Sequence, residues 1–124
     1  MKYEVDLDTD FLDELFSRKE DAILLLENEH FKEATPKALE YIGISSITVF
    51  RSFHPALISP EFQPNGVASK IEANRAFSLL KEHDSIRFEW EHISVQGEAF
   101  NVIVVLRKHK QNPNFIDAHW TLVS

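Results

Sequence analysis

The stretch Ile86-Arg87-Phe88-Glu89-Trp90-Glu91-His92 alternates uncharged and charged side chains without a break. A period of two is the spacing of a β-strand, whose successive side chains point to opposite faces. The segment therefore predicts a strand with Ile86, Phe88, Trp90 and His92 on the covered face and Arg87, Glu89 and Glu91 in water. Downstream, Gln96-Gly97 reads as a turn, and the β-branched run within Phe100–Arg107 reads as a central strand covered on both sides. Gln111-Asn112-Pro113-Asn114 is a second loop, after which Ile116, Ala118, Trp120 and Leu122 alternate again. The C-terminal third is thus three antiparallel strands.

Upstream of that sheet the period changes. Ser69-Lys70-Ile71-Glu72 has the spacing of a capping box, and Ile71, Ala76, Leu79 and Leu80 continue it as one apolar helix face flanked by Phe77. This helix is expected to end near His83-Asp84. Residues 53–66 hold three prolines and a glycine and read as irregular. Thr35-Pro36 opens a further helix, with Thr35 as cap, that stops near Gly43, and a short helical piece covers Ile47–Phe50. Before these, Ala22–Leu26 reads as a buried strand turning at Asn28, with His30–Ala34 as its hairpin partner. Asp8 or Thr9 caps a first helix whose Phe11, Leu12, Leu15 and Phe16 share a face. The order is that of an α+β domain, a five-stranded antiparallel sheet with helices packed on one face, preceded by an N-terminal helix. Residues 1–20 read as an acidic amphipathic flank and 21–124 as the core.

Composition narrows the function. The chain has 124 residues, 44% hydrophobic, with a formal charge of −7. Residues 1–30 hold ten acids against three bases, and the remainder holds ten of each, so the whole acidic excess lies at the N-terminus. With no basic cluster, nucleic acid and anionic membranes are excluded as partners. The absence of cysteine excludes disulfides, thiolate metal sites and thiol nucleophiles. No apolar run approaches the ~20 residues of a membrane helix, and the first residues lack a secretion signal, so a cytoplasmic location is expected. Three scattered glycines form no phosphate-cradling loop.

Particular residues carry a family likeness. Ser59-Pro60-Glu61-Phe62-Gln63-Pro64-Asn65-Gly66, followed by Ser69, resembles the "SPE-aromatic-QP-D/N-G…S" pattern of PAS domains in bacterial signalling proteins. Phe88-Glu89-Trp90-Glu91-His92, then Gln96-Gly97-Glu98 and Phe100, is similar to that family's "FEWxH…DGExF" hairpin. Ala34-Thr35-Pro36-Lys37-Ala38 with Gly43 stands where the family has "xNxxA…G". The likeness spans roughly residues 10–124. It implies a non-catalytic sensory module that binds a small ligand or a partner, forms a homodimer and regulates a C-terminal output domain, such as a GGDEF diguanylate cyclase or a histidine kinase. The family's last strand commonly ends in Asp-Ile-Thr after a tryptophan. Here Trp120-Thr121 is followed by Leu122-Val123-Ser124, so the polar latch of that triplet is lost. The chain stops where the family continues into a coiled-coil linker, which suggests an excised sensor.

On this reading a ligand pocket lies between the helices and the inner sheet face, with Phe50, Phe53, His54, Phe62, Phe77, Phe88 and Trp90 as its wall. Leu12, Leu15 and Phe16 are the dimerisation candidates, and Trp120 and Leu122 carry the signal outward. The cofactor stays unknown. A cysteine-linked flavin or chromophore is excluded, and haem held by His83 or His54 is disfavoured, because His83 reads as a solvated helix end and His54 as a turn residue. No metal or catalytic set is expected. Glu89, Glu91 and Arg87 read as a solvated sheet face, Asp117 and His119 lack a third group, and Ser52, His54 and Asp84 lack a nucleophile elbow. The alternatives are a ligand-free dimerisation or interaction module, and a small α+β isomerase or hydrolase, which would require Glu89 or His92 to be buried and facing a pocket.

Overall fold

Three long strands, β4 (Ser85–Ile93), β5 (Ala99–Lys108) and β6 (Phe115–Leu122), form the middle of one antiparallel sheet. Their alternation is realised in the register: Phe88 lies opposite Val104, Trp90 opposite Val102 and His92 opposite Phe100, while Val104 in turn faces Trp120. Gly97 takes φ 86°, which lets the β4–β5 connection close tightly. The computed structural model describes residues 1–123, so Ser124 lies outside the description.

The N-terminal hairpin, β2 (Ala22–Glu27) and β3 (His30–Ala34), joins the far side of β6. Its turn residues Asn28 and Glu29 both have positive φ, the geometry of a two-residue hairpin loop. The strand order is β1-β4-β5-β6-β2-β3, six strands where five were expected. The extra one, β1 (Glu4–Val5), is two residues that pair with Arg87 and Ile86 at the sheet edge. It is too short to show a hydrophobic period and owes its conformation to that edge.

The inner face carries α2 (Pro36–Ile42), α3 (Ile47–Ser52), a 3-10 turn at Pro55–Ile58 and the long α4 (Ser69–Glu82). Ala22, Leu24, Leu26, Ile86, Phe88, Trp90, Val102, Val104, Leu106, Ala118 and Trp120 meet Ala38, Ile42, Phe50, Ile58, Ala76 and Leu80 in one core. Gly43 ends α2 in the left-handed region at φ 88°, and the Gln96 amide packs so closely there that a β-carbon would collide with it. The first helix, α1 (Thr9–Leu15), lies on the opposite face. Val105 points away from the main core, and Leu12 and Leu15 bury themselves against it.

Two local expectations are corrected. Ser69 does not cap α4. The cap position is Ala68, which bridges Phe62, while the Ser69 amide donates to the Glu61 carbonyl at 2.9 Å. Ser69 and Glu72 both turn inward, so tertiary contacts override the capping-box spacing. Thr35 does stand at the start of α2, but its hydroxyl donates to the Asp21 carbonyl at 2.6 Å and accepts from the Ile23 amide at 3.0 Å instead of closing the helix.

Candidate functional site

The inner end of β4 projects Trp90 and His92 under the segment that joins α3 to α4. Three side chains pin that segment to the strand. The Trp90 indole donates to Ser59 Oγ at 3.1 Å. Gln63 Oε1 accepts from the Glu91 amide at 2.9 Å, and its Nε2 donates to the Glu91 carbonyl at 3.1 Å and to Ser69 Oγ at 2.9 Å. His92 Nδ1 lies 3.0 Å from the Ile58 carbonyl. Gln63 thus supplies at Glu91 the donor and acceptor of a missing neighbouring strand, which closes part of an otherwise open sheet edge. Ser59, Gln63 and Ser69 of the Ser59–Ser69 pattern are structural anchors.

A carbonyl only accepts, so His92 Nδ1 carries the proton in that bond and Nε2 is left as a bare acceptor. His92 is 8% exposed, and its Nε2 is buried without a hydrogen-bond partner among the described residues. Aromatic rings surround it: Trp120 at 4.3 Å between centroids, Phe100 at 5.3 Å and Trp90 at 6.4 Å. Burial pushes its pKa down to about 4, against the smaller opposing effect of the Ile58 carbonyl. At neutral pH this site is an uncharged imidazole with one free lone pair in an aromatic cage. It accepts a hydrogen bond and cannot supply a charge. The bonded-Nδ1, free-Nε2 arrangement suits a metal ligand as well.

Of the residues expected to line a pocket, Phe50, Phe88 and Trp90 share the inner core with Phe53 and Phe77 packed against it, while Phe62 and His54 lie outside it. Phe50 is fully buried and stacks on Phe31 at 4.4 Å, as plain core. Phe88 and Trp90 are buried, while Phe53 and Phe77 are half-buried at the core margin. Phe62 is 54% exposed and faces solvent. His54 is exposed and accepts from the Ala56 amide at 3.1 Å, holding the 3-10 turn. Alternation places His92 beside Trp90 on the covered face, and His92 is buried there, while Phe100 is not among the expected pocket residues. Trp120, expected to carry the signal outward, packs on His92, and Leu122 is exposed at the end of β6. Leu12 and Leu15 are 5% and 6% exposed, consumed by their own chain's sheet, and Phe16 lies over the Arg107 guanidinium at 4.2 Å.

The remaining titratable candidates are ion pairs and anchors. His83 Nδ1 meets Asp6 Oδ2 at 2.9 Å, and that contact, with the Asp84 amide, lowers the Asp6 pKa. Arg87 pairs with Glu4 across β1–β4. Asp117 finds its missing partners in Arg107 at 3.0 Å and His109 at 2.9 Å, and His119 Nε2 meets Asp21 at 2.8 Å. Ser52 donates to the Val49 carbonyl, so no triad forms. Glu72 is a buried hub 1% exposed, accepting from Tyr3 at 2.7 Å and Arg75 at 2.8 Å. Burial would raise its pKa, but the Tyr3, Arg75 and Asn65 contacts prevail and hold it below the usual range. No group of three metal-ligating residues occurs among the described residues. Surface clefts of about 590 and 510 Å³ lie elsewhere, beside α4 and at the end of α2.

This architecture is the PAS/LOV fold. The LOV protein of Rhodobacter sphaeroides superposes with a TM-score of 0.66 at 14% identity, over 95% of this chain and 69% of its own. A LOV domain from the Erythrobacter litoralis EL346 blue-light activated histidine kinase gives 0.68 at 8% identity, over 85% and 97%. The PAS domain of an HTR-like protein from Haloarcula marismortui gives 0.63 at 16%, over 93% and 91%. No protein-family model and no curated protein matches the sequence, so the likeness is one of fold. No helix among the described residues is long and apolar enough to cross a membrane.

Proposed function

We propose that this chain is a sensory input module that takes up a small molecule carrying an N–H or O–H donor, held by His92 Nε2 within the Trp90, Phe100 and Trp120 cage. The observation that carries this reading is the bare nitrogen itself, because a buried acceptor without a partner costs roughly 1–3 kcal/mol that a donor would recover. The cage is closed, so entry requires the Ile58–Ser59 segment to lift from β4. A ligand that favours the lifted arrangement shifts the population toward it. Trp120 packs at a tilt on His92 and stands two residues before Leu122, so that shift reaches the end of β6 and, through it, an output domain such as a histidine kinase or diguanylate cyclase.

A second reading, a ligand-free interaction module, is favoured by the filled core around Phe50 and Ile58. An absorption spectrum and a thermal-shift screen of donor-bearing small molecules against the wild type and His92→Phe separate the two. The sensory reading expects a hit that raises the melting temperature by about 5 °C at saturation and loses that effect in the variant. No hit, with His92→Phe as stable as the wild type or more so, supports the interaction module instead.

A further inference from the structure

Helix α4 carries on its solvent side the residues Ile71, Arg75, Ser78 and Glu82, spaced four, three and four apart, so they form one narrow stripe. Its buried side is Ser69, Glu72, Ala76 and Leu80. The stripe, with Asn74, Leu79 and Tyr3, walls the cleft of about 590 Å³. Ile71 is 50% exposed. Arg75 gives one nitrogen to Glu72 and keeps its side chain 59% exposed, while Glu82 has no ion-pair partner among the described residues. Glu82 is also the last residue of the helix, where the dipole disfavours a carboxylate.

We propose that this stripe is the contact between two copies of the chain, with their α4 helices packed antiparallel about a two-fold axis between Ser78 and Leu79. Charge decides the occupant and the direction. A positive group on one side of the axis and a negative group at equal distance on the other is self-complementary: Arg75 comes level with the partner's Glu82, and the pair repeats by symmetry. Parallel packing would set like charges against each other. Ser78, small and central, lets the two helices approach to ~8–10 Å. The arrangement also gives the Glu82 carboxylate an ion-pair partner, beyond the Lys81 and Lys108 ammonium groups that already serve the helix end. It leaves Leu12 and Leu15 on their own sheet, and it stands whether or not His92 holds a ligand.

The chain has no cysteine, so a single introduced thiol reports the contact without background. Ser78→Cys in the otherwise intact chain is expected to cross-link into a covalent dimer under a short bifunctional thiol reagent, at least tenfold faster than Val95→Cys on the exposed β4–β5 turn. Glu82→Arg is expected to lower the mass seen by light scattering to that of a monomer. Mixing it with Arg75→Glu is expected to restore the dimer, since each reversed charge then meets its opposite. A melting curve on each variant confirms that it is folded. Equal cross-linking at the two thiols, an unchanged mass for Glu82→Arg, or a wild type that is monomeric at millimolar concentration overturns the proposal.

Discussion

On its inner face the sheet is sealed by large apolar side chains, Phe50, Ile58, Phe88 and Trp90 among them, whereas on its outer face a seven-residue helix rests on Val105 through Leu12 and Leu15 and is framed by ion pairs. Each face also buries one histidine with one bonded and one bare nitrogen. His92 is bonded to a neutral carbonyl and His119 to the Asp21 carboxylate. Outside, Asp13 reaches Lys110 and Arg107, and Arg107 continues to Asp117. Cover of the first kind is cooperative and indifferent to salt. Cover of the second kind is a small patch, and a helix of two turns is not stable without it. The sheet therefore separates a rigid half from a half whose hold depends on charge.

The largest way to break this contrast is Phe50→Ala, which empties a fully buried, stacked ring and is expected to cost about 3–5 kcal/mol by urea denaturation. Next is pH. The folded state holds His92 near a pKa of about 4, below its unfolded value, so between those values the unfolded chain binds the extra proton. Stability is then full above roughly pH 6.5 and falls as pH drops, by about 3 kcal/mol near pH 4. His92→Phe is expected to remove that part of the loss. Glu72 and Asp6, with lowered pKa values, lose their contribution in the same direction at more acid pH, and the variant keeps that loss. On the outer face, Arg107→Met leaves Asp117 with only His109 and is expected to cost about 1–2 kcal/mol. The smallest effect is that of 0.5 M salt. It is expected to speed amide exchange in residues 9–15 while leaving Phe50 and its neighbours protected, because the Lys110–Asp13 pair that holds α1 is exposed.

The sheet was legible because alternation is a local signal: the run from Ile86 to His92 forms β4 as read, Gly97 turns it, and Gly43 ends α2. What was not legible depended on distant partners. Two residues, Glu4 and Val5, carry no period and become a strand only because β4 offers them an edge. Ser69 and Glu72 look like a capping box until Gln63, Tyr3 and Arg75 claim them. Leu12 and Leu15 read as surplus apolar surface because nothing local reveals that Val105 needs cover. Phe62 and Phe50 look alike in sequence, yet one is exposed and the other fully buried, since hydrophobicity alone does not say which side of a loop faces in. The site itself was half legible: alternation placed His92 on the inner face, but its bare nitrogen follows from Ile58, 34 residues away in the chain.

The central claim, that His92 is a neutral acceptor sealed in the aromatic cage, is tested most directly by nitrogen NMR of the imidazole across pH. The expected spectrum is that of the tautomer protonated at Nδ1, with Nε2 bare, unchanged from pH 8 to 5 and charging only near the pKa of about 4. Titration near 6.5, or a proton on Nε2 at neutral pH, would contradict it.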